Sequence, residues 1–467
     1  MRCSSARVVA AAALLQALAW APPASAQLAD SFAGSVRSGQ ATSETQPLSL
    51  RDALERALQF NLGLIESGQD ARAARAARLR SLSALLPNLS ARISVVRQQI
   101  NLRAEGFLLT IPGINIPTIV GPFTVTDARG YLYQEVFNWS KVQGLRSAAE
   151  SQKAAQLSYE NARELVVLTT GNAYLLVISD AAAVESIQAQ VKTAETLHQR
   201  AADQNRAGVV ASIDVLRGRV ELQTQQQRLI AALNQLAIDK LALGRVIGLP
   251  SGQAFELTDS IPYAPVETLS LGDALAQARG TRPDYRSAQS QVRAAELSRQ
   301  AAAAGHYPSL SVDGNVGDIG SPNFGTSHGT FAVEAALNVP VFQGGRVRAD
   351  TLLADSVLEQ RRAERADLAG RIDDEVRTAF LNLRSSVDLV TVARSNVDLA
   401  HQTLTQATDR FSAGIADNLE VVQAQETVAA ADQSYIASLY AYNLAKLSFA
   451  QSIGVAQRSA LEYLGVK

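Results

Sequence analysis

The chain has 467 residues, of which 47% are hydrophobic, 19% are charged and 5% are aromatic. This composition excludes a highly charged disordered chain, and the net charge of −1 argues against a nucleic-acid partner bound through a broad basic field. The one cysteine, Cys3, excludes a disulfide framework and a cysteine-based zinc site. The apolar residues are mainly Ala, Leu and Val, which is typical of long helices with narrow contact seams.

The first 26 residues have the pattern of an export signal. Arg2 and Arg7 form a positively charged start, an uncharged stretch follows at 8–20, and Ala24-Ser25-Ala26 fits a small-x-small cleavage site. We therefore predict a signal peptide at 1–26 and a mature chain that begins at Gln27. The alternative is a cytosolic chain with an apolar first helix.

No later segment has the length of a membrane-spanning helix. The best candidate, 165–179, has 15 residues without a charge, fewer than the ~20 that a bilayer requires. An exported chain without such a helix is either soluble or crosses a membrane as strands of a β-barrel.

The sequence contains two related copies. With an offset of 221 positions, segment 48–54 (LSLRDAL) aligns with 269–275 (LSLGDAL), and 14 of the 43 residue pairs in 48–90 are identical. Further along, the offset falls to 206, where Gly208 aligns with Gly414. Two long copies predict one pseudo-symmetric architecture rather than several unrelated domains.

Each copy begins with a predicted helix, at 48–85 and 269–306, and a proline follows each one. Apolar and polar residues then alternate along a predicted hairpin in each copy. The strands are placed at about 89–100 and 123–137, and at about 309–318 and 329–342. Strands of ~10 residues with one apolar face are typical of a barrel wall in lipid, although a half-buried soluble hairpin gives the same pattern.

The rest of each copy is predicted to be very long helix. Apolar residues from Val376 to Phe411 recur every 3.5 residues on average, which indicates a coiled coil. A turn follows at Gly208 in the first copy and at Gly414 in the second, where glycine suits the left-handed end of a helix. Gly344-Gly345 is predicted to form a strand-to-helix turn, since the full glycine pattern of a phosphate-binding loop is missing.

These patterns divide the chain into six segments. They are a signal peptide (1–26), a mature N-terminal extension (27–47), a first repeat (48–250), a linker (251–268), a second repeat (269–456) and a C-terminal tail (457–467).

Several motifs carry a family resemblance. They are Leu-x-Asp-Ala-Leu at 50–54 and 271–275, Leu-Pro-x-Leu at 86–89, Pro-Val-Phe-Gln-Gly-Gly-Arg at 340–346, and Phe411-x-x-Gly414 before Leu-Glu-Val-Val-x-Ala-Gln at 419–425. In this order, and with the duplication, the chain resembles the TolC-like outer membrane efflux proteins over about 48–456.

The resemblance implies a mainly α-helical fold with a β-barrel part. Three copies would share a twelve-stranded barrel in outer membrane lipid, and their coiled coils would form a tunnel in the periplasm. The implied function is an exit duct for efflux or type I-like secretion that docks with a periplasmic adaptor (a membrane fusion protein) and an inner membrane transporter. The alternative is a soluble periplasmic coiled-coil scaffold or adaptor.

The resemblance also implies a constricted periplasmic aperture near the helix-Gly-helix turns. Glu420 occupies the family's acidic ring position, and Asp214 is its counterpart in the first copy. A ring of carboxylates would favour cations. Both residues also suit a simpler role at a helix start, because Asp417-x-x-Glu420 has the pattern of a capping box and a first-turn Asp favours the helix dipole.

Three positions depart from the family's well-studied members. Gln423 stands where those members carry a second acid, and Phe411 and Ala416 stand where a tyrosine and an arginine help to hold the aperture shut. Because Phe411 has no hydroxyl, we expect the isolated channel to be leakier than its locked relatives.

Nothing in the sequence favours an enzyme. Gly325-Thr326-Ser327-His328-Gly329 fits the G-x-S-x-G nucleophile pattern, but a strand follows it where that motif needs a helix. The four histidines lack metal-ligand spacing. We therefore predict no catalytic, cofactor or metal site.

Overall fold

The computed structural model describes residues 32–106, 113, 116–260, 270–322, 325–413, 415 and 418–465. The predicted signal peptide and Gly414 therefore lie outside the described residues. The chain divides into two compact units. The first unit combines the residues up to Asp70, Gln156–Arg286 and the residues from Asp367 onward, and the second combines Ala71–Ala155 with Ser287–Ala366.

Helices and strands follow the predicted order in each copy. In chain order they are β1 (Gln46–Leu48), α1 (Leu50–Phe60), α2 (Leu62–Ser83), β2 (Asn88–Asn101), β3 (Ile119–Phe137), α3 (Trp139–Arg206), α4 (Ser212–Val246), β4 (Phe255–Leu257), α5 (Leu271–Thr281), α6 (Pro283–Ala303), β5 (Ser309–Ser321), β6 (Thr326–Asn338), α7 (Arg346–Ser412), α8 (Asn418–Ser452) and α9 (Ala456–Leu464).

The Leu-x-Asp-Ala-Leu motif starts a helix in both copies. The Ser49 hydroxyl accepts from the Asp52 backbone N–H, and the Asp52 carboxylate accepts from the Ser49 backbone N–H, so the two residues form a capping box. At the start of α5, the Ser270 hydroxyl likewise accepts from the Asp273 backbone N–H at 3.2 Å, and it donates to the Asp273 carboxylate at 2.6 Å. The aspartate of the motif therefore has a local structural role.

The two predicted N-terminal helices are each broken once, at equivalent positions. Asn61 separates α1 from α2 and Arg282 separates α5 from α6, and neither residue has helical backbone, with ψ at 129° and 121°. At the second break, Pro283 disfavours helical backbone in the residue before it. Arg282 is buried and pairs with Asp284 and Glu375, each at 2.6 Å. Asn61 is also buried, and its amide donates to the Phe32 carbonyl at 2.8 Å.

The core of the first unit buries one apolar face of each helix that contributes to it. Contrary to the expectation from the sequence, one 18-residue stretch of α3 is long and apolar enough to span a membrane by length and composition. In the structure, 44% of that stretch is buried. Its apolar character fits packing within this unit. The largest cluster includes Leu50, Ala53, Ala57, Val166, Val167, Tyr174, Leu243, Ile247, Leu447 and Ala450.

Residues of the predicted N-terminal extension and of the predicted linker contribute to this core. Residues of the predicted linker form β4, which pairs in parallel with β1 at Gln46 and Phe255. The Asp259 carboxylate of the same linker accepts from the Leu50 backbone N–H and from the Tyr174 hydroxyl, both at 2.7 Å. The contacts join the segments on either side of the first repeat.

Most of the predicted C-terminal tail is a packed helix. Helix α9 buries Ala456, Ala460 and Leu464 in the largest cluster. No side chain caps its first turn from within the helix, but the Glu164 carboxylate of α3 accepts from the Gln457 backbone N–H at 3.1 Å. Burial raises the pKa of Glu164. A carboxylate from a helix that is distant in the chain thus accepts a hydrogen bond from a backbone N–H that the first turn of α9 leaves without a partner inside the helix.

The second unit contains a four-stranded antiparallel sheet in the order β2-β3-β5-β6. Each copy therefore supplies one hairpin, and the two hairpins pair through β3 and β5. The last strand differs from its predicted bounds: it spans Thr326–Asn338 rather than 329–342. Pro340 has no backbone N–H for a ladder, which agrees with the earlier end.

The register of the strands gives the sheet one apolar and one polar face. Gly130 lies opposite Ala91 and Val316, and Val333 lies opposite Gly314, so the predicted alternation is aligned across all four strands. The apolar face carries Leu89, Ala91, Ile93, Val95, Leu132, Val312, Val316, Phe331, Val333, Ala335 and Leu337; the other carries Ser90, Arg92, Asp127, Arg129, Tyr131, Asp313, Asn315, Thr330 and Glu334.

Candidate functional site

The turn between α3 and α4 is closed by the backbone. Gly208 has a φ of +76°, a conformation that favours glycine. The Val209 N–H donates to the Gln204 carbonyl at 2.9 Å, and the Asn205 amide donates to the Val210 carbonyl at 2.8 Å. The first bond satisfies a carbonyl group that the helix end leaves open, and the second joins the turn to the last residues of α3.

Asp214 lies in the first turn of α4, where the first-copy acid was expected. Its carboxylate forms an ion pair with Arg217 of the same helix, with 3.4 Å between Oδ1 and Nη1. The Asp214 side chain is 14% exposed. Asp214 therefore combines the predicted helix-start position with a local cation.

The turn between α7 and α8 repeats this geometry in the part that the structure describes. The Ile415 N–H donates to the Arg410 carbonyl at 3.0 Å, which is the bond that Val209 and Gln204 make in the first copy. Gly414, Ala416 and Asp417 lie outside the described residues, and so does the predicted capping box between Asp417 and Glu420.

Glu420 lies in the first turn of α8 and pairs with an arginine that the sequence analysis did not consider. The Arg410 Nε lies 3.3 Å from Glu420 Oε1, and the two side chains are 56% and 43% exposed. Arg410 is a basic residue in the last turn of α7, but only the fold of the turn brings it to Glu420. Each repeat thus balances its turn carboxylate with an arginine.

The other two candidate residues near the turn between α7 and α8, Phe411 and Gln423, differ in their exposure to solvent. Phe411 is 5% exposed, so its side chain packs the turn instead of reaching solvent. Gln423 is exposed on α8. The cluster around Phe411 comprises Leu197, Ala407, Val421 and Ala424.

Both turns expose apolar side chains. Val209 is 68% exposed and Ile415 is 72% exposed, and Ile213, Leu216 and Leu419 nearby are also exposed. Contiguous exposed apolar residues commonly mark a surface that contacts another molecule. The helix ends therefore combine two carboxylate–arginine pairs with an apolar surface.

Gly344 and Gly345 lie directly before α7. Both have positive φ, +57° and +83°, and the Ala349 N–H donates to the Gly345 carbonyl at 3.0 Å. A Cβ at either position would meet no atom within 4 Å. Backbone conformation, rather than crowding, therefore explains glycine at both positions.

Metal and nucleophile sites receive no support from the described residues. Within them, no group of three or more His, Cys, Asp or Glu side chains could hold a metal ion. Ser327 of the G-x-S-x-G pattern lies inside β6, so the described part of this segment lacks the strand-to-helix turn that a nucleophile elbow requires.

The chain matches the family model described as outer membrane efflux protein over residues 53–249 and 274–455. It is 25% identical over 332 residues to the probable efflux pump outer membrane protein TtgC of Pseudomonas putida KT2440. The aligned region covers 66% of this chain and 65% of that protein. It is 26% identical over 400 residues to the pyoverdine export outer membrane protein OpmQ of Pseudomonas aeruginosa PAO1, covering 83% of this chain and 81% of that protein.

A solved structure shares the fold. The CmeC outer membrane channel of Campylobacter jejuni superposes with a TM-score of 0.74 at 16% identity, covering 87% of this chain and 86% of that one. The family match covers both repeats, including both helix-Gly-helix turns and the four strands. The chain therefore belongs to the outer membrane efflux protein family.

Proposed function

We propose that this protein is an outer membrane exit duct for efflux or secretion. The observation that carries the proposal is the two-faced sheet of the second unit. Its apolar face exposes Ile93, Phe331 and Val333, which are 78%, 80% and 75% exposed. Side chains of this kind are stable in contact with lipid, while the opposite polar face suits a water-filled lumen.

The edges of this sheet support a homotrimer. In the described residues, β2 and β6 each pair on one side only. Unpaired backbone groups are costly in a bilayer, so a membrane-spanning sheet must close into a barrel. Three copies with four strands each would close a barrel of twelve strands.

Glu420 and Asp214 are the proposed ring residues of the periplasmic aperture. Both lie at the helix-Gly-helix turns, each beside an arginine. Around a three-fold axis, the three copies of Glu420 would face a common opening. The electrostatic field of such a ring depends on how much of the Glu420 charge is neutralised by the ion pair with Arg410.

The proposed partners follow from the family and from the exposed apolar residues at the turns. A periplasmic adaptor and an inner membrane transporter would deliver cargo to this end of the duct. The protein would carry cargo without chemical change, so it would be neither an enzyme nor a nucleic-acid-binding protein.

Three measurements test the proposal. After fractionation, the protein should enter the outer membrane fraction, and native mass spectrometry in detergent should give three copies of the chain. The purified trimer should also conduct ions in a planar bilayer. A stable monomer in the soluble periplasmic fraction would contradict the duct and favour a soluble scaffold.

A further inference from the structure

A cavity of about 530 Å³ lies between the four long helices of the first unit. Helices α3, α4, α7 and α8 all contribute to its lining. The volume is within the range of sites that hold drug-sized ligands. Its apolar wall includes Ala182, Ala189, Val397, Leu404, Val428 and Ile436.

Among the side chains that line the cavity, three are acidic and one is a histidine. Glu185, Glu221 and Asp432 contribute carboxyl groups, and His401 contributes an imidazole. Asp432 accepts from the Ser186 hydroxyl at 3.0 Å, and its second oxygen lies 3.7 Å from the His401 Nε2. The Asp432 carboxylate is therefore held in place by residues of α3 and α7.

Glu221 is the deepest of these acids. Its residue is 5% exposed, and its Oε1 accepts from the Gln225 amide at 2.7 Å. Among the ion pairs found in the described part of the chain, none involves Glu221. A buried carboxylate without a cation is costly, so this side of the cavity favours a positively charged group.

Gln225 supplies a second and independent sign of a missing donor. The residue is 1% exposed, and its buried Oε1 has no hydrogen-bond partner in the described structure. Buried acceptors in native proteins are nearly always paired. The Gln225 carbonyl and the Glu221 carboxylate therefore form an acceptor pair that a group with several N–H bonds would satisfy.

Close packing of α3 and α4 fixes this acceptor pair beside the cavity. A Cβ at Gly218 would lie 3.3 Å from the His198 Cα, so glycine allows α4 to approach α3 one turn before Glu221. We infer that this cavity is a binding site for an amphipathic organic cation. Its ammonium or guanidinium group would bind Glu221 and Gln225, and its apolar body would contact the aliphatic wall.

The site does not depend on the proposed duct, because binding to the purified protein is measured without conduction. The probe is 1-naphthylmethylammonium, and its neutral isostere 1-naphthalenemethanol is the matched ligand. Calorimetric titration of the full-length protein in detergent, with the protein-free detergent titration subtracted, reports both affinities. We expect one amine per chain and at least tenfold weaker binding of the alcohol, since hydrogen bonds to charged groups are worth about a tenfold change in affinity or more.

A matched pair of variants locates the site. Glu221→Gln should weaken amine binding about tenfold, whereas Glu195→Gln, the same change at an exposed α3 residue outside the cavity lining, should leave it unchanged. If Glu221→Gln does not assemble, Gln225→Met, which removes the other proposed contact, should also weaken amine binding. Equal affinity for amine and alcohol, or wild-type affinity in an assembled Glu221→Gln or Gln225→Met protein, would overturn the site.

Discussion

At the scale of single residues, the two helix-Gly-helix turns carry an acid at the equivalent position but pair it with arginines from different places. Asp214 and Glu420 are equivalent in the repeats, yet Asp214 pairs within its own helix while Glu420 pairs across the turn. The pair of Arg410 with Glu420 is exposed, and such pairs are worth about 0–1 kcal/mol. Arg410 can therefore modulate the proposed acidic ring without locking it.

This arrangement predicts opposite effects of two substitutions on ion selectivity. Glu420→Gln should lower the cation preference of the channel, because it removes three carboxylates from the proposed ring. Arg410→Gln should raise the preference, because it leaves those carboxylates without their neighbouring cation. Single-channel reversal potentials in a salt gradient measure both shifts.

Glu359→Gln is the control for these variants. Glu359 is an exposed acid near the start of α7, so its loss should not change selectivity. If Glu420→Gln and wild type have identical reversal potentials, Glu420 only supports the start of α8.

A pair of acids between α3 and α4 predicts a pH effect on stability. Asp180 hydrogen-bonds to Asp239, and burial together with this second carboxyl raises the pKa of Asp180 to about 7. In the unfolded chain its pKa is close to the ordinary value of 3.8. Between these two values, the folded state holds a proton that the unfolded state has lost. The free energy of unfolding therefore falls as the pH rises from about 4 to about 7.

Asp180→Asn should remove most of this dependence, because an amide carries no charge at either pH. The variant's melting temperature relative to wild type should be higher at pH 8 than at pH 5. The same comparison with Asp388→Asn, at an exposed position of α7, should show no such trend. If the melting temperatures of variant and wild type differ by the same amount at both pH values, Asp180 does not hold a proton in the folded state at neutral pH.

At the scale of secondary-structure elements, β6 separates the two proposed environments of the sheet. Val333 and Thr330 are three residues apart and lie on opposite faces, opposite Gly314 and Gly317 respectively. The Val333 face is continuous with Phe331 and Val316, whereas the Thr330 face carries polar side chains from the other strands.

Val333→Arg should therefore be destabilising and Thr330→Arg should be tolerated. A lipid-facing arginine near mid-membrane costs ~2–4 kcal/mol, while a lumen-facing one is solvated. The amount of heat-modifiable trimer in purified outer membranes measures the outcome. Equal amounts for the two variants would mean that the sheet does not lie in a bilayer.

At the scale of the whole molecule, the duplication explains why the sheet has four strands, with β2 and β6 on the outside. Each repeat contributes one hairpin, and the hairpins join through β3 and β5. In the described residues, the outer strands β2 and β6 each pair on one side only, and the proposed trimer would pair their other sides with neighbouring copies. The trimer expected from native mass spectrometry is the smallest number of copies that gives the proposed twelve strands.

The sequence by itself determined the features that depend on local pattern. It predicted the two repeats, the two hairpins and the very long helices, because periods of 2 and about 3.5 residues are visible without a fold. Gly208 was also predictable, since only a left-handed helix end favours glycine there. The family resemblance came from the same motifs, and the family match confirms it.

Only the tertiary structure decided which distant residues meet. It brought Arg410 to Glu420, joined β1 to β4, and placed α9 in the core beside Glu164. Buried polar contacts also accompany the breaks of two predicted helices at Asn61 and Arg282, although Pro283 is in addition a local signal for the second break. Such contacts join residues far apart in the chain, so their energies depend on packing geometry, which no local periodicity records.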